Sequence, residues 1–314
     1  MNELIFLEPI FKERIWGGNR LATEFGYNIP NDKTGEAWVI SAHKNGDCQV
    51  KNGTYKGLNL SQLWQQHPEI FNSSSSSTKF PLMVKIIDAA DDLSVQVHPN
   101  DEFAKIHEND LGKEECWYIL DAEPNAEIIY GHTAKNKNEL DSMIDNNQWG
   151  KLLVNTPAQK CAFFNVPTGT VHAIKKGLLI LEVQQSSDTT YRLYDYDRRD
   201  DKGNLRELHL DKAKQVINVP HDNEPQQCKI IESNNSITHM RLLQNNYFSV
   251  ELIRNTSTNI INKPNQYWLA SIINGDGQIN NQEVKKGDSF IMQSSTKELM
   301  LNGNIELIIT YEVN

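Results

Sequence analysis

No apolar run in this chain of 314 residues approaches the ~18 residues that a membrane-crossing helix needs. There are only four cysteines, at 48, 116, 161 and 228, and no two form a CxxC pair, which excludes the common zinc-finger and dithiol redox motifs. Basic residues are in deficit. Lys and Arg number 31 against 41 Asp and Glu, a net charge of -10. Nucleic acid and anionic membrane both require a basic face, so neither is expected as a partner. A small anionic substrate would have to be met by cations that converge locally. The start, Met1 to Glu8, carries an acid at its third residue and too short an apolar stretch for a secretory signal. The expectation is a cytoplasmic protein, monomeric or weakly self-associating, whose cysteines are free and mostly buried.

Short strand-like runs are what the sequence does have. Leu93 to His98 alternates apolar and polar residues at period two, and Phe80 to Ile87 is almost wholly apolar. Further runs are Cys116 to Leu120, Ala126 to Tyr130, Cys161 to Val166, Leu178 to Val183, Tyr247 to Ile253, Tyr267 to Ile273, Ser289 to Met292 and Ile305 to Tyr311. Helical spacing is confined to Leu60 to Phe71 (with Ser61 as its cap), Asn138 to Leu153 and Leu205 to Ile217. The serines at 73–77 read as a surface loop. The composition changes near His221 to Gln227. The fold expected from these runs is mainly β: a barrel or sandwich with helical insertions over 1–230, and a smaller C-terminal β-unit without a metal site over 231–314.

Three local patterns carry chemistry. In Gln96-Val97-His98-Pro99, residues two apart share a strand face, so Ser94, Gln96 and His98 project together. Gly112-Lys113-Glu114-Glu115-Cys116 leads a carboxylate into a second strand. Pro167-Thr168-Gly169-Thr170-Val171-His172 is a tight turn that aims a histidine inward, proline restricting φ and glycine freeing it. Two imidazoles and a carboxylate suit a first-row divalent ion, and three protein ligands leave positions open, which is the catalytic rather than the structural pattern. Any one histidine alone reads as an ordinary core or surface residue, and His43, His67, His107, His132, His209, His221 and His239 are read that way. Glu182 and Gln184 share a strand face, and Arg192 stands among aromatic and polar residues. Arg198 and Arg199 read as a surface ion-pair network.

These segments resemble type I mannose-6-phosphate isomerases of the short bacterial form, members of the cupin superfamily, a likeness that implies a jelly-roll barrel. The likeness runs through Phe11 to Gly18, Gly35 to Ser41, Phe80 to Lys85, Leu93 to Asn100, Gly112 to Tyr118, Pro167 to Ala173 and Ser187 to Arg192. It implies one zinc ion per chain held by His98, Glu115 and His172, with Gln96 a fourth ligand in longer relatives. It implies Arg192 as the catalytic arginine and places Ser94 and Lys113 in the substrate pocket. The long helical insertion of larger members is missing, so no pocket residue is carried over from it. The implied reaction interconverts mannose 6-phosphate and fructose 6-phosphate through an enediol. That chemistry needs a base at carbon, for which Glu182 is the first choice and Lys113 the second, and charge stabilisation at oxygen. The ligand set alone also accommodates a cupin Fe(II) oxygenase, and the fold alone a non-catalytic sugar-binding cupin.

Overall fold

The structure, a computed structural model, describes residues 3–73, 79–199, 203–222 and 228–313. The serine run therefore lies almost entirely outside the described residues, as does the polar stretch at 223–227. The architecture is mainly β. No helix is long and apolar enough to cross a membrane.

Two antiparallel sheets carry the three patterns singled out above. The larger has the order Phe163–Val166, Glu115–Ala122, Leu178–Gln185, Leu82–Ala89, Thr34–Ile40, Ile10–Gly18. The smaller runs Leu153–Pro157, Glu127–His132, His172–Ile174, Val95–Val97, Tyr191–Tyr194. They face each other across a shared apolar core that includes Trp117, Ile119, Ile128, Ile174, Ile180 and Trp16. Among the described residues no backbone ladder joins the edges of one sheet to the other. The jelly roll is thus a two-sheet sandwich held by interdigitated side chains rather than a barrel closed by hydrogen bonds.

The larger sheet is buried on both faces. Thr34–Ile40, Leu82–Ala89 and Leu178–Gln185 have no exposed residue. One face, with Val84, Ile86, Leu181 and Val183, packs in one core with Leu242, Phe248, Leu252, Leu269 and Ile308 of the C-terminal sheet. The other face looks into the sandwich. This explains the nearly continuous apolar runs of these strands: both faces are dry, and of their polar residues Glu36, Lys85 and Glu182 line a pocket. The C-terminal residues supply eight strands of a ten-stranded sheet, completed by Ile5–Glu8 and Gln49–Val50. Its path begins with Lys229–Ser233, Ile237–Gln244, Phe248–Asn255 and Glu298–Glu312. The first strand, Ile5–Glu8, joins it: Ile5 pairs with Ile291 while Leu7 pairs with Val50. One four-residue strand near the start thereby ties the C-terminal sheet to the rest.

Helical segments were longer in the sequence reading than they are. Leu60 to Phe71 resolves into Leu60–Gln66 and Pro68–Phe71, because Pro68 lacks the N–H that would continue the first helix. Its cap is Asn59 rather than Ser61. The Asn59 side chain and Gln62 form a capping box, and the Ser61 hydroxyl is instead bonded to Asp47 at 2.5 Å. The second segment divides into Lys137–Asp145 and Trp149–Leu152. Only Leu210–Val216 of the third is helical; Leu205 and Leu208 stay outside it and are exposed. Two cysteines also differ from expectation. Cys48 and Cys116 are buried, but Cys161 and Cys228 are exposed, and Cys161 occupies a turn at φ 69° just before its strand.

Candidate metal centre and pocket

His98 follows the strand Val95–Val97, Glu115 opens Glu115–Ala122, and His172 opens His172–Ile174. The first and third belong to the smaller sheet and the second to the larger, so the sandwich brings them face to face. One donor atom from each lies within 4.8 Å of the others, and all three residues are buried. Glu115 Oε1 is 3.3 Å from His172 Nε2, and Oε2 is 3.4 Å from His98 Nε2. The turn before His172 depends on Gly169, at φ 83°, where a Cβ would meet the Asn218 side chain at 2.5 Å. Glu114, the neighbouring acid, points elsewhere: its Oε2 accepts the Thr168 N–H at 3.0 Å. Strand alternation thus selects Glu115, as the resemblance implied.

The donors are prepared for a cation. Each imidazole has its Nδ1 beside a backbone carbonyl at 2.9 Å, Thr189 for His98 and Thr170 for His172. Donation there leaves the Nε2 lone pairs aimed at the shared centre. Burial, reinforced by the Lys113 ammonium, pushes the His98 pKa down to about 3, and burial also lowers that of His172. Both rings are therefore neutral ligands at pH 7. Burial opposes ionisation of Glu115, yet Lys113 and the two imidazoles hold its pKa well below the usual carboxylate range. Its Oε1 is buried without a hydrogen-bond partner. An ionised, orphaned oxygen between two neutral imidazoles is what a divalent ion would satisfy. Lys113 stands beside the cluster, bonded to Glu115 Oε2 and 3.1 Å from His98 Nε2. Its backbone N–H is held by the Pro99 carbonyl at 3.1 Å.

A cavity of about 380 Å³ adjoins this centre. Its lining includes Ser94, Gln96, Lys113, Glu182 and Arg192, so the residues predicted for the substrate converge there. Gln96 Nε2 is 3.3 Å from His172 Nε2, in reach of the ligand cluster. Arg192 pairs across the ladder with Gln96, and its Nε donates to Ser94 Oγ at 3.3 Å. Glu182 is not a free carboxylate. Lys85 Nζ lies 3.0 Å from its Oε1, and Trp117 Nε1 donates to its Oε2 at 3.1 Å. Lys85 also donates to Gln184 at 2.6 Å.

The wall also holds residues that sequence reasoning passed over as chemistry: Lys85, Glu36, Arg14, Asp188 and Arg206. Lys85 had a signal, a single charge inside Leu82–Ala89, a strand otherwise apolar until Asp88. Arg14 makes a two-pronged pair with Glu36, at 3.0 Å for each bond. Arg206, from a segment remote from the ligand motifs, had none. Arg198, read as a surface residue, is mostly buried and bonded to Asp195 at 2.6 Å.

Comparison with known proteins places this geometry. Residues 4–133 match the model of the phosphomannose isomerase type I catalytic domain, and residues 238–312 match that of the mannose-6-phosphate isomerase cupin domain. The chain is 48% identical to the mannose-6-phosphate isomerase ManA of Bacillus subtilis, over 98% of this chain and 99% of that one. The chain belongs to the type I phosphomannose isomerase family. Another member of the family, the mannose-6-phosphate isomerase of Streptococcus mutans, is 44% identical over 99% of each chain. The crystal structure of the Bacillus subtilis mannose 6-phosphate isomerase superposes with a TM-score of 0.95 at 42% identity, covering 99% of this chain and 100% of that one. A putative mannosephosphate isomerase from Archaeoglobus fulgidus shares the fold at 21% identity, with a TM-score of 0.78 over 100% of this chain and 99% of that one.

Proposed function

We propose that this family member is a zinc-dependent mannose-6-phosphate isomerase, with His98, Glu115 and His172 as ligands and Gln96 as a supplementary one. Residues 1–230 then form the catalytic unit and 231–314 a cupin-like unit without a metal. The observation that carries the reading is the orphaned Glu115 Oε1, set between two neutral imidazoles at the end of a pocket lined by Arg14, Lys85, Lys113, Arg192 and Arg206. Five cations face three acids, Glu36, Glu182 and Asp188, in a protein of net charge -10. Such local convergence suits a phosphorylated, polyhydroxylated substrate.

When bound, the divalent ion supplies Lewis-acid stabilisation of negative charge developing on the sugar oxygens. The chain supplies the rest. Arg192, a rigid fork of donors fixed by Ser94, faces oxygen anions on the enediol or the phosphate. Glu182 and Lys113 are the candidates to move the proton between C1 and C2. The pairing of Glu182 with Lys85 and Trp117 restrains its carboxylate, so Lys85 works as its partner in the same role. Trp16, Leu93 and Ile174 on the wall exclude water and strengthen these contacts.

A coupled assay with mannose 6-phosphate tests the reading: activity should vanish on chelation and return with zinc. Activity insensitive to the chelator, or none in the fully metallated protein, would overturn it.

A further inference from the structure

The pocket's cations are not equally satisfied. Arg14 is closed by Glu36, Lys85 by Glu182 and Gln184, and Lys113 by Glu115. Arg192 has no carboxylate within ion-pair distance among the described residues; its bonds go to Ser94 Oγ and, at 2.8 Å, to the Glu207 carbonyl. Arg206 lines the same wall. Burial first, and then the nearness of Arg206, lowers the Arg192 pKa, as expected where positive charge exceeds negative.

Among the described residues Arg206 is held by Asp195. Its Nε donates to Asp195 Oδ2 at 2.6 Å and its Nη2 to Oδ1. The same carboxylate takes Arg198 Nη2 at 2.6 Å. Asp195 is buried, 4% exposed, and is absent from the pocket wall. Two guanidiniums, those of Arg206 and Arg198, therefore share one buried acid, and among the described residues the exposed Asp91 reaches only Arg198, at 3.5 Å. The location fits a ligand's second end. Ser94, which Arg192 touches, lies four residues before the metal ligand His98, on the order of 13 Å at the usual strand rise. A six-carbon sugar phosphate can lie along that length with its carbonyl end at the metal centre.

We propose that Asp195 is a positioning residue that locks Arg206 beside Arg192 as a two-guanidinium clamp for the substrate's phosphate, and so sets the preference for phosphorylated over neutral sugars. The inference rests on the isomerase reading and adds to it the residue that organises the phosphate end. Asp195 touches no substrate and acts through the fork of Arg206, whose planar geometry matches phosphate only when its orientation is held.

The test uses the zinc-loaded full chain: wild type, Asp195→Asn, Asp195→Glu, Arg206→Ala, Arg206→Lys and the Asp195→Asn/Arg206→Ala double variant. Three quantities are measured: KM and kcat with mannose 6-phosphate, and the inhibition constant of inorganic phosphate. In Asp195→Asn both KM and the phosphate inhibition constant should rise together, by about tenfold, with kcat falling by less than about threefold. Arg206→Ala should do the same, the double variant should be no worse than Arg206→Ala, and Asp195→Glu should recover part of the loss. A metallated Asp195→Asn protein whose KM and phosphate inhibition are unmoved would overturn the proposal, as would strictly additive effects in the double variant. Should Asp195→Asn not fold, Arg206→Lys decides: it keeps the charge and loses the paired bonds, so the same parallel shift is expected, and its absence counts against the clamp. Failure of the wild type to turn over mannose 6-phosphate would overturn the isomerase reading instead. The clamp is then read from thermal stabilisation by inorganic phosphate: weaker in Asp195→Asn supports it, equal in both overturns it.

Discussion

Two buried histidine–glutamate clusters stand in this molecule, one between the two sheets of the sandwich and one on paired strands of the C-terminal sheet, and their surroundings differ. In the sandwich, Glu115 meets His98 and His172 at 3.4 and 3.3 Å and keeps one oxygen without a partner. In the C-terminal sheet, Glu251 meets His239 at 2.7 Å, and its other oxygen accepts from Arg241 at 3.0 Å and Tyr311 at 2.7 Å. Both carboxylates are buried and both are held below the ordinary carboxylate range. The difference lies in completion. Arg241 and Tyr311 finish the second cluster, which is a closed polar network inside a core. The first is left unfinished beside an open pocket, and an unfinished buried carboxylate asks for a cation. Residue type alone does not separate a ligand set from a structural pair; the count of remaining donors does.

The sharpest way to break this comparison is to exchange the two acids' fates. Glu115→Gln should release the metal and lower turnover on the order of 10³-fold or more, while Glu251→Gln should retain both. Elemental analysis beside the isomerase assay reads this, and metal loss in the second variant would erase the distinction. Within the pocket, Arg192→Ala and Glu182→Gln should lower turnover by about 10²-fold with metal content intact if, as proposed, both face the sugar phosphate rather than the ion. Near-normal kcat in either would remove that residue from the chemistry. The C-terminal network should respond in stability instead. Glu251→Ala leaves Arg241 and His239 without their acceptor and should cost on the order of 3 kcal/mol in urea denaturation, with kcat preserved.

The smallest effect concerns acid. Burial opposes ionisation of Glu36, but Lys85 and Arg14 lower its pKa below the ordinary 4.5. The folded state therefore gives up this proton more readily than the unfolded chain. Its stabilising contribution is full above about pH 4.5 and is lost as pH falls through the lower folded value. Thermal midpoints of Glu36→Gln should accordingly fall less steeply than those of the wild type below about pH 4.5. Parallel curves would mean that the Arg14–Glu36 pair does not contribute.

Much of the metal centre was legible because its ligands are announced locally. The Gln-x-His-Pro strand and the Pro-x-Gly-x-x-His turn set side-chain direction through backbone geometry that is written in adjacent residues, and the resemblance favoured Glu115 over Glu114 by its place before Cys116. The strand positions were equally readable wherever an apolar run met a turn; Ser289–Met292 falls on the expected residues. Helix lengths were less so, because Pro68 and the capping box at Asn59 end or shift helices that spacing alone would extend. The pairing of Lys85 with the predicted Glu182 was hidden for a different reason. Lys85 and Glu182 belong to strands remote in sequence, and only the register of Leu82–Ala89 against Leu178–Gln185 sets them opposite each other.

Periodicity and turn chemistry in the sequence by itself thus determined a mainly β chain, the likeness of its motifs determined the family, and that likeness with the chemistry of two imidazoles and a carboxylate made His98, Glu115 and His172 the expected ligand set. Tertiary structure alone decided what those ligands lack and what surrounds them. The orphaned Glu115 oxygen, the Glu182–Lys85 pair and the guanidiniums gathered around Asp195 exist only because strands distant in sequence pack face to face, where burial and the number of donors within reach fix each group's charge and partner.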